Sequence, residues 1–362
     1  MNMGNSDQKS LSKLRDRIDA IDDQILDLLN RRAGVAQEIG HAKAGQGLDY
    51  YNPGRELAVF ERLIGRNTGP FPSEAVRRVF REIISASLSL EEPMKVAFFG
   101  PSATFTHQAA QKQFGFSAQL VAQKSIPAVF EEVRRGRADY GVVPVENTTE
   151  GIVSHTLDMF IESDLKINAE ILLEISHDLL SLTGKMDDID KVLSHPQALA
   201  QCRHWLEENL PDVPLVDASS TAMAARLASE DSSIAAIASE IAASLYGLRI
   251  VKPNIQDSTN NLTRFLVVGR NPTARTGHDK TSVMFIVADE PGILYRMLKP
   301  FSKRDINLSK IESRPIKTKA WEYVFFLDLE GHVEDASVSE ALKELQGCCR
   351  SLKVLGSYPR CR

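Results

Sequence analysis

Cysteine and tryptophan are scarce in this sequence of 362 residues, which contains four cysteines and two tryptophans. Cys348 and Cys349 are adjacent and Cys361 lies at the end of the chain, so they do not form a disulfide framework. No two cysteines have the C-x-x-C spacing of a zinc or redox site. We therefore expect reduced, structural thiols and no bound metal.

Long apolar runs are missing as well. No stretch approaches the roughly 18 uninterrupted apolar residues that a membrane span needs, and the polar N-terminus lacks the apolar core of a secretory signal. The formal net charge is −5, and lysine and arginine are spread along the chain rather than gathered in one stripe. These features predict a cytoplasmic protein that binds neither membranes nor nucleic acids.

The remaining composition is that of a soluble globular protein, with 43% hydrophobic and 25% charged residues. At about 150 residues per domain, we expect two or three domains. Residues 1–93 favour helices, residues 94–272 alternate short apolar strands with amphipathic helices, and residues 281–362 follow a polar linker at 273–280. The predicted fold class is therefore multidomain: an all-α domain, an α/β domain with a largely parallel sheet, and a ferredoxin-like β-α-β-β-α-β domain.

The first helical segment carries a heptad seam, in which apolar residues alternate spacings of three and four. The stripe extends over a helix much longer than the usual three turns. Three helices with one very long member enclose a core poorly, which predicts a dimer that packs the long helices together. The seam residues are Leu11, Leu14, Ile18, Ile21, Ile25, Leu28, Val35 and Ile39.

Cations interrupt this seam. Arg32 falls four residues after Leu28, Lys43 falls four after Ile39, and Arg15 lies at the edge of the same face. A buried cation is costly unless it is paired, so each one alone is explained by packing its stem and exposing its charge. Three cations on one apolar face instead suggest a pocket for a compact anion with more than one carboxylate.

With Arg55 and Glu56 on the second helix, and Ser87 and Glu91 on the third, the segment resembles the all-helical chorismate mutases. The motifs are L-R-D-R-I-D-x-I-D, R-R-A, P-G-R-E and S-x-x-x-E. The resemblance implies a domain-swapped helical dimer in which Arg15 comes from the other subunit. Its implied site holds the carboxylates and ether oxygen of chorismate with Arg15, Arg32, Lys43 and Arg55, while Glu56 accepts from the ring hydroxyl and Ser87 assists at a carboxylate.

Glu91 stands where some members of that family have glutamine, a neutral donor to the ether oxygen. A carboxylate accepts hydrogen bonds and donates one only when it is protonated. We predict that mutase kcat/KM declines as pH rises and that Glu91→Gln flattens the profile. A wild-type value that stays level from about pH 5 to about pH 9 would contradict this prediction. The alternative is a solvated carboxylate at the end of a helix.

Hydroxyl and amide residues follow several strands of the central segment, for example at 102–106, 194–197 and 219–221. Serine and threonine are routine N-caps, but several helix N-termini at the carboxyl ends of one sheet also form an anion site. Six motifs in order resemble prephenate dehydratase. They are G-P-S-A-T-F-T-H-x-A-A, V-P-V-E-N-T, S-H-P-Q-A-L-x-Q-C, S-S-T-A-x-A-A, L-Y-G-L and N-N-L-T-R-F.

This second resemblance implies two lobes around a cleft, as in periplasmic binding proteins, with the second lobe at about 176–254. It assigns to Thr263 a preorganised hydrogen bond, or a proton relay, to the hydroxyl that leaves prephenate. For Arg264 a surface ion pair is an equally weighted alternative. The implied substrate-binding residues are Asn147, Ser194, Gln201, Glu146, Thr148, Thr104, Ser220 and Arg264.

The remaining polar and small residues of these motifs receive lesser roles. His195 is expected only to orient its neighbours, and His107, His155 and His177 are expected to have no chemical role. Ala103 stands where the family commonly has glycine and Thr106 where serine is usual, and we expect an added methyl group at that turn to narrow the pocket.

The C-terminal segment carries D-E-P-G-I-L, N-L-S-K-I-E-S-R-P and S-L-K-V-L-G-S-Y-P. These motifs resemble the ACT domain, which follows prephenate dehydratases and binds phenylalanine. A helix that opens after Pro291-Gly292 offers free N–H groups to a carboxylate. The alternative is a sheet that only dimerises. The site implied at a dimer interface consists of Gly292, Ile293, Leu294, Asn307, Leu308, Glu312, Ser313, Arg314 and Pro315.

Together the resemblances extend over essentially the full chain. They imply a bifunctional enzyme that converts chorismate to prephenate and prephenate to phenylpyruvate, is inhibited by L-phenylalanine, and forms a homodimer or higher homo-oligomer. No cofactor is implied, since neither step is redox. Two alternatives stay open: arogenate dehydratase activity in the second domain, and a phenylalanine-binding regulator that has lost catalysis. A periplasmic solute receptor fits the middle lobes but not the polar N-terminus.

Overall fold

The computed structural model describes residues 4–44, 51–90, 93–149, 151–258, 260–288, 290–315 and 323–361. Within these ranges the chain forms two compact units. One unit lies in residues 4–52, 60–94 and 114–118, and the other in 53–59, 95–113 and 119–361.

Three helices form the N-terminal part: α1 (Gly4–Ala44), α2 (Pro53–Arg66) and α3 (Ser73–Ser89). The long helix predicted from the heptad seam is present, since α1 has 41 residues and spans about 60 Å. In the single chain the seam is exposed, from 48% at Leu11 to 62% at Leu28. The helices therefore leave a continuous apolar stripe uncovered along α1.

The second unit begins with the first lobe and its sheet, continues through the second lobe, and returns to the first sheet. The first-lobe elements are β1 (Lys95–Phe99), α4 (Phe105–Phe114), β2 (Gln119–Gln123), α5 (Ile126–Arg134), β3 (Tyr140–Asn147), β4 (Gly151–Ile152), α6 (Ser154–Glu162) and β5 (Lys166–Glu174). The second-lobe elements are β6 (Asp178–Ser181), a 3-10 turn (Met186–Asp188), β7 (Lys191–Ser194), α7 (Pro196–Gln201), α8 (Arg203–Asn209), β8 (Leu215–Asp217), α9 (Thr221–Glu230), β9 (Ile234–Ala238), α10 (Glu240–Tyr246) and β10 (Arg249–Lys252). The returning strand is β11 (Leu262–Gly269).

The strand orders are β2-β1-β3-β11-β5, with β4 on β3, in the first sheet and β10-β6-β9-β7-β8 in the second. β1 is parallel to β2 and β3, and β7 is parallel to β8 and β9. However, β11 is antiparallel to β3 and β5, and β6 is antiparallel to β9 and β10. The prediction of a largely parallel sheet is wrong for these strands, because they lie where the chain crosses between lobes without the helical crossover that parallel neighbours need.

The C-terminal part contains β12 (Asp279–Val287), α11 (Ile293–Ser302), β13 (Leu308–Pro315), β14 (Tyr323–Glu330), α12 (Ala336–Gln346) and β15 (Ser351–Pro359). Its sheet is antiparallel, in the order β13-β14-β12-β15. This is the element order that the sequence predicts. β12 begins at Asp279, so the last two residues of the predicted linker belong to the strand. The Asp279 carboxylate accepts backbone hydrogen bonds from Thr276 and Gly277, which closes the preceding turn.

The two faces of the C-terminal sheet have different partners. Phe285 belongs to a cluster with residues of α11 and α12, whereas its neighbour Met284 belongs to the core of the first lobe. At Gly356 of β15 an added Cβ would collide with the backbone of Ile167 in β5. Glycine therefore permits the close approach of these two strands, and the C-terminal sheet shares one hydrophobic core with the first lobe.

Candidate functional site

The first unit brings together two residues of the predicted mutase site, Arg32 of α1 and Ser87 of α3. Arg32 Nη1 donates to Ser87 Oγ at 2.5 Å and to the carbonyl of Ile83 at 3.3 Å. Ser87 Oγ donates to the same carbonyl at 2.6 Å. Burial lowers the pKa of Arg32, but a guanidinium stays charged at physiological pH. Both acceptors are uncharged, so they orient the cation without neutralising it.

The other mutase residues are placed as follows. Arg15 is exposed and precedes Arg32 by 17 residues on the same helix, which is about 25 Å along the axis. That separation is too great for one compact dianion to contact both side chains of a single chain. Lys43 is half-buried, Arg55 is exposed and Glu56 is buried. Glu91 lies outside the described residues.

In the second unit, Thr263 of β11 pairs in register with Asn147 of β3. Asn147 Nδ2 donates to Thr263 Oγ1 and to Asn261 Oδ1, both at 2.7 Å. Because the Thr263 oxygen accepts this hydrogen bond, its own hydrogen is left to donate elsewhere. Asn261 is buried and was not predicted as a site residue. Its position in the motif N-N-L-T-R-F, two residues before Thr263, was the available signal.

Gln201 reaches this cluster from the end of α7 in the second lobe. Its Oε1 accepts from Asn261 Nδ2 at 3.2 Å and lies 2.8 Å from Nε2 of the buried His177. The structure therefore brings Asn147, Gln201 and Thr263 together from both lobes, and adds Asn261 and His177 to them. The sequence offered no signal for His177, because the contact between His177 and Gln201 depends on how β6 packs against α7.

The other predicted hydroxyl groups make local contacts, and their part in substrate binding stays a prediction. Ser220 is an N-cap, as the alternative interpretation expects, while Thr148, directly after β3, hydrogen-bonds to the segment that precedes β11. The contacts are Ser194 Oγ to the Ile237 carbonyl at 2.6 Å, the Met223 N–H to Ser220 Oγ at 3.0 Å, Thr104 Oγ1 to the Pro101 carbonyl at 3.0 Å, and Thr148 Oγ1 to the Asn260 carbonyl at 2.9 Å.

Ala103 and the nearby histidines have structural explanations. Ala103 has a φ of 69°, in the left-handed region that glycine adopts readily, and its N–H donates to His107 Nδ1 at 3.0 Å. The residue is fully buried. The expectation that its methyl group narrows the pocket is therefore wrong, and the substitution instead places strain in the backbone. His195 Nδ1 accepts from the Gln197 N–H at the start of α7, which fits an orienting role.

Arg264 points away from Thr263 and lies in a buried ion-pair cluster. It donates to Glu170 of β5 at 2.8 Å, to Asp328 of β14 at 2.7 Å and to the Tyr358 hydroxyl of β15 at 2.9 Å. Burial acts to lower the pKa of Arg264, but the neighbouring carboxylates outweigh it and the pKa is raised. The described contacts of Arg264 thus join the first lobe to the C-terminal sheet.

Glu146, next to Asn147 on β3, also faces the C-terminal sheet. Its carboxylate pairs with Lys310 of β13 at 2.8 Å. Four residues further along β13, Arg314 donates to the Ser154 carbonyl of α6 at 2.7 Å. One face of β13 therefore binds the first lobe, and Arg314, which was predicted to contact an effector, is part of that contact.

The predicted effector residues lie at both ends of α11. Gly292, with a φ of 77°, precedes α11, and Ile293 and Leu294 are the first two residues of that helix. Asn307 and Leu308 follow its far end, about 15 Å away along ten residues. One amino acid cannot contact both ends within a single chain. The remaining members lie on β13: Glu312 and Arg314 are half-buried, and Ser313 and Pro315 are exposed.

Among the described residues, no helix has the length and apolar character to cross a membrane. Their histidine, cysteine, aspartate and glutamate side chains form no group of three or more suited to a metal ion.

Arg32 and the hydroxyl–amide cluster around Thr263 lie in different compact units of the chain, an arrangement typical of a multidomain enzyme. Family profiles described as chorismate mutase type II, prephenate dehydratase and ACT domain match residues 14–92, 96–273 and 281–347. The bifunctional chorismate mutase/prephenate dehydratase of Aquifex aeolicus is 54% identical over 97% of this chain and 98% of its own length. The chain belongs to the family of bifunctional chorismate mutase/prephenate dehydratases, and it carries both catalytic domains and the ACT domain.

Solved structures resemble the dehydratase and ACT part. A prephenate dehydratase from Arthrobacter aurescens in complex with L-Phe has a TM-score of 0.68 and 37% identity, covering 74% of this chain and 90% of that one. GqqA, described as a novel type of quorum-quenching acylase, has a TM-score of 0.68 and 28% identity, covering 74% and 98%. Since one fold carries unlike activities here, the assignment depends on the whole-chain relative rather than on fold.

Proposed function

We propose that the first domain rearranges chorismate to prephenate, that the second converts prephenate to phenylpyruvate, and that L-phenylalanine inhibits through the third. The observation that carries the second step is the hydrogen bond from Asn147 to Thr263 at 2.7 Å, which leaves the threonine proton for the substrate. The chemistry of each step explains the residue types assigned to it.

The mutase rearrangement needs neither a nucleophile nor a proton transfer. It needs the compact conformer of chorismate held still, and the partial negative charge on the ether oxygen stabilised. We assign this to Arg32, Lys43 and Arg55 of one chain and to Arg15 of a second copy. Glu56, Ser87 and Glu91 complete the proposed site.

In the dehydratase step the electron pair of the ring–carboxylate bond moves into the ring as carbon dioxide leaves, and the ring hydroxyl departs with its bonding pair. Hydroxide is a poor leaving group, so a donor aimed at that oxygen lowers the barrier. We assign this donor to Thr263, with Asn147 and Gln201 holding the polar wall of the cleft. Aromatisation supplies the driving force.

The finer architecture is part of the proposal. The domain limits are 1–93, 94–272 and 281–362, with a linker at 273–280, lobes like those of periplasmic binding proteins and a ferredoxin-like ACT domain. We place the protein in the cytoplasm as a domain-swapped homodimer. The exposed seam of α1 supports the dimer, as do the distances that separate Arg15 from Arg32 and Gly292 from Asn307.

The direct test is to incubate the purified protein with chorismate and to follow prephenate and phenylpyruvate, with and without L-phenylalanine. Phenylpyruvate formed without added factors supports both activities, and prephenate alone would contradict the second. Arg32→Ala should abolish only the first step and Thr263→Ala only the second, each by about a hundredfold or more. Loss of both activities from either change would contradict separate sites. Faster turnover of arogenate than of prephenate would replace the assigned substrate.

A further inference from the structure

A continuous chain of side-chain hydrogen bonds links the two lobes beside Thr263, and one backbone group sets its direction. The N–H of Thr149 donates to Asn147 at 2.9 Å, so the atom that receives it must be Oδ1. The other end of Asn147 is then Nδ2, which donates to Thr263 Oγ1 and to Asn261 Oδ1. This ordering does not depend on how the amides are assigned, because a backbone N–H only donates.

The donor and acceptor atoms of Asn261, Gln201 and His177 follow in the same way. Because Oδ1 of Asn261 accepts from Asn147, the other end of the Asn261 amide is Nδ2, which donates to Gln201. The Gln201 atom that accepts this hydrogen bond is therefore Oε1. The His177 ring nitrogen that faces this oxygen at 2.8 Å must therefore carry a hydrogen. We infer that His177 is a positioning residue of the dehydratase site, held as the neutral Nε2–H tautomer, and that it orients the Gln201 amide so that both hydrogens of its Nε2 are offered to the substrate.

The surroundings of His177 suit a fixed, neutral ring. Its side chain is 3% exposed, and Nδ1 has no hydrogen-bond partner among the described residues. The ring makes a T-shaped contact with Phe105, with ring centroids 5.5 Å apart. Burial lowers the pKa of His177, which favours the neutral form at pH 7. A bare Nδ1 is also the cheaper state, since a second buried N–H without an acceptor would cost more.

The backbone holds His177 where the chain passes between lobes. Its N–H donates to Gln256 Oε1 at 2.9 Å, and its carbonyl accepts from the Ile255 N–H at 2.8 Å. Ile175, two residues earlier, donates to the Asn261 carbonyl at 2.8 Å. The backbone at His177 is thus hydrogen-bonded to the segment that returns to the first lobe, while the contact of its ring with Gln201 connects this segment to the second lobe.

The orientation of the Gln201 amide determines which of its atoms can contact a substrate. Gln201 Oε1 is occupied twice, by Asn261 and His177, while none of the described hydrogen bonds uses Gln201 Nε2. A glutamine rotated by half a turn would present an oxygen to a substrate that carries two carboxylates. That consequence rests on the proposed dehydratase function, whereas the tautomer of His177 does not.

The tautomer is measured without substrate. The wild-type protein is labelled with 15N-histidine, and two-bond 15N–1H correlation spectra are recorded, with the His177 signals assigned by their loss in His177→Gln. We expect a protonated Nε2 and an unprotonated Nδ1 near neutral pH. The Nδ1–H tautomer or a doubly protonated ring would overturn the inference, whatever the protein does with prephenate.

The role in positioning is measured with a matched pair of variants. His177→Gln places an amide nitrogen near the position of Nε2, whereas His177→Asn is one methylene shorter and does not reach Gln201. We expect His177→Asn to lower dehydratase kcat/KM by about tenfold to a hundredfold, and His177→Gln to stay within about threefold of wild type. Chorismate mutase activity of the same preparations is the folding control and should not change.

Equal losses in the two variants, or full dehydratase activity in His177→Asn, would overturn the positioning role. If the wild-type protein leaves prephenate unchanged, the proposed function fails, and the spectrum alone still decides the tautomer. If His177→Asn also loses mutase activity, the Gln201→Glu variant is tested instead. That variant keeps Oε1 as an acceptor and removes both hydrogens of Nε2. Unchanged kcat/KM in that variant would likewise contradict the inference.

Discussion

Neighbouring residues on β3 and β11 have different partners, because successive side chains of a strand point to opposite faces of the sheet. Thr263 and Asn147 hydrogen-bond to each other on one side of the strands, while the adjacent Arg264 and Glu146 bind Asp328 and Lys310 of the C-terminal sheet. The motifs identify these residues but not their directions. Asn147 and Thr263 are therefore each adjacent in sequence to a residue that forms an ion pair.

Arg264 is expected to stabilise the folded protein. Arg264→Met should lower the free energy of unfolding by about 3–5 kcal/mol, because it leaves the buried Glu170 and Asp328 carboxylates without this partner. Urea unfolding followed by far-UV circular dichroism measures the change. The control is Arg137→Met, which removes a pair with Glu132 in which the arginine side chain is 50% exposed, and it should cost less than about 1 kcal/mol. Equal costs would contradict the structural role of Arg264.

At the scale of elements, the approach of β15 to β5 depends on one residue without a side chain. Gly356 lies against the backbone of Ile167, and the backbone does not yield as a flexible side chain does. The long strand β15 also contributes Leu355 and Tyr358 to the core of the first lobe. Strand packing rather than the linker thus holds the ACT sheet in place.

We predict that Gly356→Ala destabilises the protein by about 1–3 kcal/mol, as overpacking does. The measurement is the thermal unfolding midpoint, together with limited proteolysis near residues 271–278, where we expect faster cleavage. Gly65→Ala on α2 is the comparison, because an added Cβ there meets nothing within 4 Å and alanine favours the helix. A variant at 356 that is as stable as wild type would disprove the close contact.

At the scale of the whole molecule, the proposed dimer covers the exposed seam of α1 with a second copy of the chain. Ile21→Asp places a charge in the middle of the exposed seam and should shift the protein toward monomers, with loss of mutase activity and retention of dehydratase activity. Asn30→Asp adds the same charge nine residues later, about 180° around the helix, and should change neither. Sedimentation velocity measures the oligomeric state of each variant, and the mutase and dehydratase assays measure the two activities. A monomeric Ile21→Asp protein with full mutase activity would exclude a shared site.

Feedback inhibition is expected to pass through the contact between β13 and β3. Lys310→Met removes the partner of Glu146, which adjoins Asn147. We expect the concentration of L-phenylalanine for half-inhibition to rise about fivefold, a coupling loss of about 1 kcal/mol, with uninhibited kcat/KM within about threefold. Lys303→Met, which breaks an exposed pair with Glu344, is the control. Unchanged inhibition in Lys310→Met would place the coupling elsewhere.

Local pattern and residue chemistry were enough to predict the long helix α1, the succession of helical, α/β and β-α-β-β-α-β segments, and the motifs of two catalytic domains and an ACT domain. The helix and the succession of segments follow from periodicity along the chain, whereas the two catalytic domains and the ACT domain follow from the resemblance of the motifs to known families. The antiparallel place of β11, the direction of Arg264 and the hydrogen bond of His177 to Gln201 were decided only by tertiary structure. Each depends on groups more than 20 residues apart that folding brings into contact, and hydrogen-bond direction is defined only once all partners are in place.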